Sequence, residues 1–115
     1  MDGQLRRGLL EVCVLAAMRL GDSYGYRLIK DISPYIDISE STLYPILRRL
    51  EGAQLVTVYS MAHNGRLRKY YRITEAGRAR IASFLEEWQD VLRAYRFIQE
   101  GDGSDEQGNI PDKTD

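Results

Sequence analysis

The sequence predicts a mainly α-helical chain with one small β-hairpin: three short helices, two strands, then one long helix. Three observations predict it. Apolar residues recur at helical spacing up to Leu50 and again after Glu75. Between them, LVTVYSM (Leu55–Met61) and LRKYYRI (Leu67–Ile73) are rich in β-branched and aromatic residues. Asn64-Gly65, between those two runs, is a two-residue hairpin signal, because both residue types accept a positive φ.

The elements follow in order. A first helix is expected from about Leu5 to Leu20. Its density of apolar residues (Leu9, Leu10, Val12, Cys13, Val14, Ala16, Ala17, Met18) implies burial on most sides. Gly21 would stop it, and Asp22 or Ser23 would cap a second helix, Tyr24 to Ile32, which ends before Ser33-Pro34. Ile36-Asp37-Ile38 alternates as a very short strand would. Ser39 is the expected N-cap of a third helix, STLYPILRRLE, with Ile38 and Leu43 as its hydrophobic staple. In the second strand Leu67, Lys69, Tyr71 and Ile73 share one face, and Arg66, Arg68, Tyr70 and Arg72 the other. Thr74 caps a helix from about Glu75 to Gln99, whose apolar stripe includes Leu85, Trp88, Leu92 and Tyr95. That helix is more than about twice the mean length.

Chain-wide properties bound the function. With 115 residues there is one small domain's worth of core. No signal peptide or membrane-spanning run is visible, and the single cysteine permits no internal disulfide, so a cytoplasmic location with no membrane partner is expected. Net charge is −1, but it is sorted along the chain. Residues 48–80 hold eight basic and two acidic side chains, a net of +6, whereas residues 101–115 hold one basic and five acidic, a net of −4. No paired carboxylates, nucleophile–histidine arrangement or phosphate-cradling glycine loop is present, so neither an enzyme nor a cofactor is expected. His63 lacks companion ligands for a metal and is expected to meet solvent or phosphate. Cys13 is expected to be a small core residue.

Three helices, a hairpin and a helix, with positive charge gathered on the third helix and the hairpin, make a winged helix-turn-helix plus a long C-terminal helix. At 100° per residue, Leu43, Ile46, Leu47 and Leu50 form the inner side of the third helix. Ser41, Pro45 and Arg48 lie opposite, flanked by Thr42, Tyr44 and Arg49. A proline within a helix costs a backbone hydrogen bond, so its place on the outward face suits a rigid surface meeting a groove.

The stretches TLYPILRRLE (Thr42–Glu51) and GRLRKYYRITEAG (Gly65–Gly77), with SYGYRLIKDI (Ser23–Ile32), resemble the PadR family, the phenolic-acid decarboxylase regulators, over about Leu5 to Gln99. Leu67 departs from the basic residue many relatives carry in the wing. The resemblance implies a winged-helix fold, homodimerisation through the C-terminal helix and transcriptional control, usually repression. Small proteins like this one can bind flat hydrophobic molecules between their C-terminal helices, which makes Trp88 a candidate effector platform.

The expected organisation is therefore a DNA-binding winged-helix domain over 1–74, a dimerisation helix over 75–100 and a disordered acidic tail over 101–115. The expected partner is a double-stranded DNA operator, with a small planar aromatic effector as a further candidate. Base and phosphate contacts are expected from Ser41, Thr42, Tyr44, Pro45, Arg48 and Arg49 of the third helix, and mainly phosphate or minor-groove contacts from Asn64, Arg66, Arg68, Lys69 and Tyr70 of the hairpin. One of Tyr70 and Tyr71 is expected in the core. Leu85, Trp88, Leu92 and Tyr95 are the expected dimer contacts. The alternative is a small-molecule-sequestering or protein-interaction module that has kept the winged-helix fold.

Overall fold

The computed structural model describes residues 1–100; the expected acidic tail lies outside them. The element order is α1 (Gly3–Ala17), α2 (Gly25–Ile32), α3 (Glu40–Gly52), β1 (Val56–His63), β2 (Arg66–Ile73) and α4 (Glu75–Gln99). The chain divides into two parts, Met1–Ser83 and from Phe84 onward, with α4 running through the division.

α1 begins two residues earlier than expected because the Asp2 carboxylate accepts from the amides of Gln4 and Leu5, both at 3.1 Å. It ends at Ala17 rather than Leu20: Met18 turns into the core, and Leu20 is fully exposed. Leu10, Val12, Val14 and Leu15 are buried, and from Gly8 to Met18 no residue is exposed. The expected burial on most sides holds from Gly8 onward, while Leu5 in the first turn is exposed; Cys13 is half-exposed rather than a core residue, and its partial burial raises the thiol pKa.

α2 starts after Tyr24 without any side-chain cap: the Asp22 carboxylate is engaged by Tyr59, and Ser23 is held by its backbone to Tyr71, its buried hydroxyl meeting no partner among the described residues. Residues 36–38 form no strand. The amide of Ile36 still donates to the Ile32 carbonyl at 3.1 Å, so the chain is turning there, and Ile38 closes into the core. At α3 the Ser39 backbone is extended, but its hydroxyl meets Ser41 Oγ and Thr42 Oγ1 instead of a backbone amide. The inner face is Leu43, Ile46, Leu47 and Leu50, as the helical periodicity requires.

α3 ends not with Gly52 in the left-handed region but with Gln54 there, at φ 62°. The amide of Leu55 donates to the Leu50 carbonyl and that of Gln54 to the Glu51 carbonyl, both at 2.9 Å, which is a Schellman closure. The antiparallel hairpin follows in a register that pairs Val56 with Ile73 and His63 with Arg66. Asn64 (φ 50°) and Gly65 (φ 78°) supply the positive φ pair that a two-residue turn of this twist needs. Val56, Tyr71 and Ile73 are buried, while Tyr70 faces outward and is half-exposed.

The Thr74 hydroxyl donates to the Gln54 carbonyl at 2.8 Å and accepts from the Gly77 amide at 3.0 Å, capping α4. A Cβ at Gly77 would overlap the Leu55 carbonyl, which fixes glycine there. Ile81 is the last buried residue of the first part. In the second part, Phe84 and Trp88 meet with ring centroids 5.7 Å apart, and Leu85, Leu92, Tyr95, Phe97 and Ile98 are exposed. No helix among the described residues is long and apolar enough to cross a membrane.

Gln54→Gly should stabilise the fold by about 0.5–1 kcal/mol, since glycine enters the left-handed region without a Cβ penalty and keeps the carbonyl that Thr74 uses. Urea unfolding of the two proteins checks this: the midpoint rises and the slope stays the same.

Candidate nucleic-acid interface

The third helix and the hairpin are brought together by the turn between α1 and α2. Ser23 donates its amide to the Tyr71 carbonyl at 3.1 Å and accepts from the Tyr71 amide at 2.8 Å, adding a one-residue third strand to the hairpin. Tyr71 is thereby held under α3, and burial raises its hydroxyl pKa. Next in sequence, Gly25 lies beneath the Tyr44 ring: a Cβ there would overlap the Tyr44 hydroxyl. These contacts leave a groove of about 920 Å³ between Tyr44 of α3, Tyr24 and Tyr26 at the start of α2, and Asn64, Arg66 and Lys69 of the hairpin.

The sequence-predicted site residues fall into three groups. Ser41, Tyr44, Arg48, Asn64, Arg66 and Lys69 are exposed. Among the described residues Arg48, Arg66 and Lys69 enter no ion pair. Thr42 and Pro45 are half-buried, on the α1 flank of α3, where together with the exposed Ser41 they line a recess of about 320 Å³ with Arg6 and Arg7. Pro45 is thus less outward than the helical wheel implies. Arg49 reaches the same flank and pairs with Glu11 of α1 at 2.8 Å. Arg68 and Tyr70 are half-buried in an aromatic ladder. The Arg68 guanidinium lies 3.8 Å from the Tyr24 ring centre and donates to the Tyr70 hydroxyl at 3.2 Å. Tyr70 stacks on Tyr59 at 5.5 Å.

Sequence reasoning missed the role of Asp22. Its carboxylate accepts from the Tyr59 hydroxyl at 2.6 Å and pairs with Arg72 at 3.0 Å. The hydrogen bond from Tyr59, then those from Arg72, hold the Asp22 carboxyl below the ordinary range, and the same hydrogen bond raises Tyr59. Arg27 and Lys30, i and i+3 on α2, were missed as well; with Asp31, His63 and Arg68 they line a second recess of about 560 Å³ beside the ladder. Their only sequence signal is that spacing on a polar face. Among the described residues no three His, Cys, Asp or Glu side chains converge as a metal site would require.

Three helices, a hairpin folded against the third of them and a long C-terminal helix define a winged-helix protein of the transcription-regulator class. A model of the PadR-like family of transcriptional regulators matches residues 14–83, and the chain belongs to that family. A solved protein from Streptococcus mutans UA159 is 39% identical, with TM-score 0.74 over 83% of this chain and 90% of its own. A PadR family transcriptional regulator from Eggerthella lenta is 34% identical, with TM-score 0.75 over 84% of this chain and 87% of its own. PadR of Bacillus subtilis, solved in complex with operator DNA, is 21% identical, with TM-score 0.63 over 67% of this chain and 46% of its own, a likeness of fold.

The Asp22 pairing has a testable sign. A carboxyl whose pKa is depressed by folding adds stability above its ordinary value of 3.8 and loses that stability as pH falls through the folded value. Asp22→Asn should melt below the wild type near neutral pH, and the gap should close as the pH drops below 3.8. Melting curves across that range check it.

Proposed function

We propose that the protein is a sequence-specific DNA-binding transcriptional regulator that acts as a homodimeric repressor. One observation carries the reading. Arg48 on α3 and Arg66 and Lys69 on the hairpin are exposed cations in no ion pair among the described residues, and no acidic side chain among them lines the groove that Arg66 and Lys69 share with Tyr44 of α3. Such a surface suits the phosphate backbone, whose neutralisation by Arg and Lys supplies affinity. Ser41, Tyr44 and Arg48 are the base-reading candidates, since α3 is narrow enough for the major groove and arginine pairs bidentately with guanine. Asn64, Arg66 and Lys69 are the phosphate candidates. The operator complex of the B. subtilis protein supports this at the level of the fold.

On this reading residues 1–74 bind DNA and residues 75–100 bring two copies together. Leu85 (55% exposed), Leu92 (40%) and Tyr95 (56%) are far more open than helical apolar residues in a finished core, which favours a second copy covering them. Trp88, half-buried beside Phe84, offers a planar apolar face for a flat hydrophobic effector that releases the operator. Planar aromatic compounds are expected to quench this single indole and to shift operator affinity in the wild type but not in Trp88→Ala.

Two experiments test the core of the reading. Selection of bound duplexes by the purified protein should return a near-palindrome, with affinity falling steeply as salt rises. Arg48→Ala should cost about 1–3 kcal/mol and relax preference at one base position. Lys69→Ala should weaken all duplexes alike and lower the salt slope by about 1 per half-site. A salt-independent response, or recovery of a bound protein without DNA, would favour the sequestering or protein-interaction alternative. Separately, Leu92→Asp should give monomers by sedimentation and lose operator binding, because a monomer grips one half-site; a dimer that survives this change removes α4 from the interface.

A further inference from the structure

We propose that Asp22 is a positioning residue for the wing: by holding one residue of each strand, it sets the direction of the hairpin relative to α3, and operator affinity depends on it. The inference rests on the DNA-binding reading above and assigns a role to a residue outside the proposed DNA contacts.

Packing does not fix the outer half of the hairpin. From Ser60 to Lys69 every residue except Arg68 is exposed, and Met61 and Leu67 carry their apolar side chains into solvent. What the hairpin has instead is a set of polar and aromatic ties on one face. Asp22 reaches Tyr59 on β1 at 2.6 Å and Arg72 on β2 at 3.0 Å, so a single carboxylate bridges both strands. Tyr59 passes the constraint on by stacking on Tyr70 at 5.5 Å, and Tyr70 meets the edge of Tyr24 at 5.6 Å. Arg68 closes the ladder over Tyr24 at 3.8 Å. The turn that carries Asp22 and Tyr24 is itself immobilised, since Ser23 between them is 2% exposed and paired with Tyr71.

Simple electrostatics and the positioning role predict opposite signs. Asp22 is an acid beside a cationic surface, and it neutralises Arg72. Deleting it adds net positive charge and should tighten DNA binding and steepen its salt dependence if charge alone mattered. If Asp22 aims the wing, deletion should weaken binding, because Arg66 and Lys69 no longer meet phosphates in register with α3.

The test uses the full chain with Asp22→Ala and Tyr59→Phe, the second removing one hydroxyl while keeping the ring stack. Operator affinity should fall roughly threefold to tenfold per half-site in Asp22→Ala, the range of a lost contact or two, and less in Tyr59→Phe. Lys69→Ala should cost less in the Asp22→Ala background than in the wild type, since both changes remove the same contact. Binding as tight as wild type or tighter, or a Lys69 penalty that adds in full, overturns the proposal. A second arm needs no DNA. Amide exchange at residues 60–69 should quicken in both variants by a larger factor than in the α1 and α3 cores, and unchanged exchange at residues 60–69 also overturns it. If the wild type binds no duplex in a salt-dependent way, the DNA-binding reading falls, and the exchange arm still decides the clamp.

Discussion

Two backbone hydrogen bonds between Ser23 and Tyr71, at 3.1 and 2.8 Å, are the constraint on which the site depends. A two-stranded hairpin alone is marginal in water. Here its base is fastened to the turn between α1 and α2, and that turn opens directly into α2, whose first residue, Gly25, lies under Tyr44 of α3. Three consecutive residues, Asp22, Ser23 and Tyr24, hold the hairpin by three different means: an ionic bridge, a backbone pair and an aromatic platform. Without them α3 and the hairpin would be two separate basic elements; with them they line one groove.

The same geometry divides the basic residues by availability. Arg72 is committed to Asp22, Arg49 to Glu11 and Arg68 to Tyr24, while Arg48, Arg66 and Lys69 keep their charge facing water. A count of charges along residues 48–80 treats all of these alike. The structure commits Arg49, Arg68 and Arg72 to partners within the fold and leaves Arg48, Arg66 and Lys69 presenting charge on the surface. Exposed ion pairs contribute little to stability, so the value of the Arg72 pair lies in the orientation it imposes rather than in its energy.

The element order, the hairpin turn, the Thr74 cap and the inner face of α3 were legible because each has a local signature: periodicity, a positive-φ pair or a side-chain oxygen three residues ahead of a free amide. The errors arose where tertiary contacts outbid local ones. Asp22 and Ser23 read as caps, yet the Asp22 carboxylate and the Ser23 backbone take their partners on the hairpin, 37 to 50 residues away. Residues 36–38 alternate as a strand does but have no neighbour to pair with, so they finish the α2 turn. Gln54 takes the left-handed position that glycine would favour, two residues beyond Gly52, so composition gives no local sign of where α3 ends. The aromatic ladder was invisible because Tyr24, Tyr59 and Tyr70 come from three elements, and nothing local tells a stacked tyrosine from a surface one.

The central claim is that α3 and the wing tip form one surface that meets DNA as a unit. Amide protection on adding a duplex selected by the protein tests it most directly. The account predicts protection at residues 41–49 and 63–69 rising together along a single titration curve. Protection of either segment without the other, or of residues 84–99 alone, would contradict it.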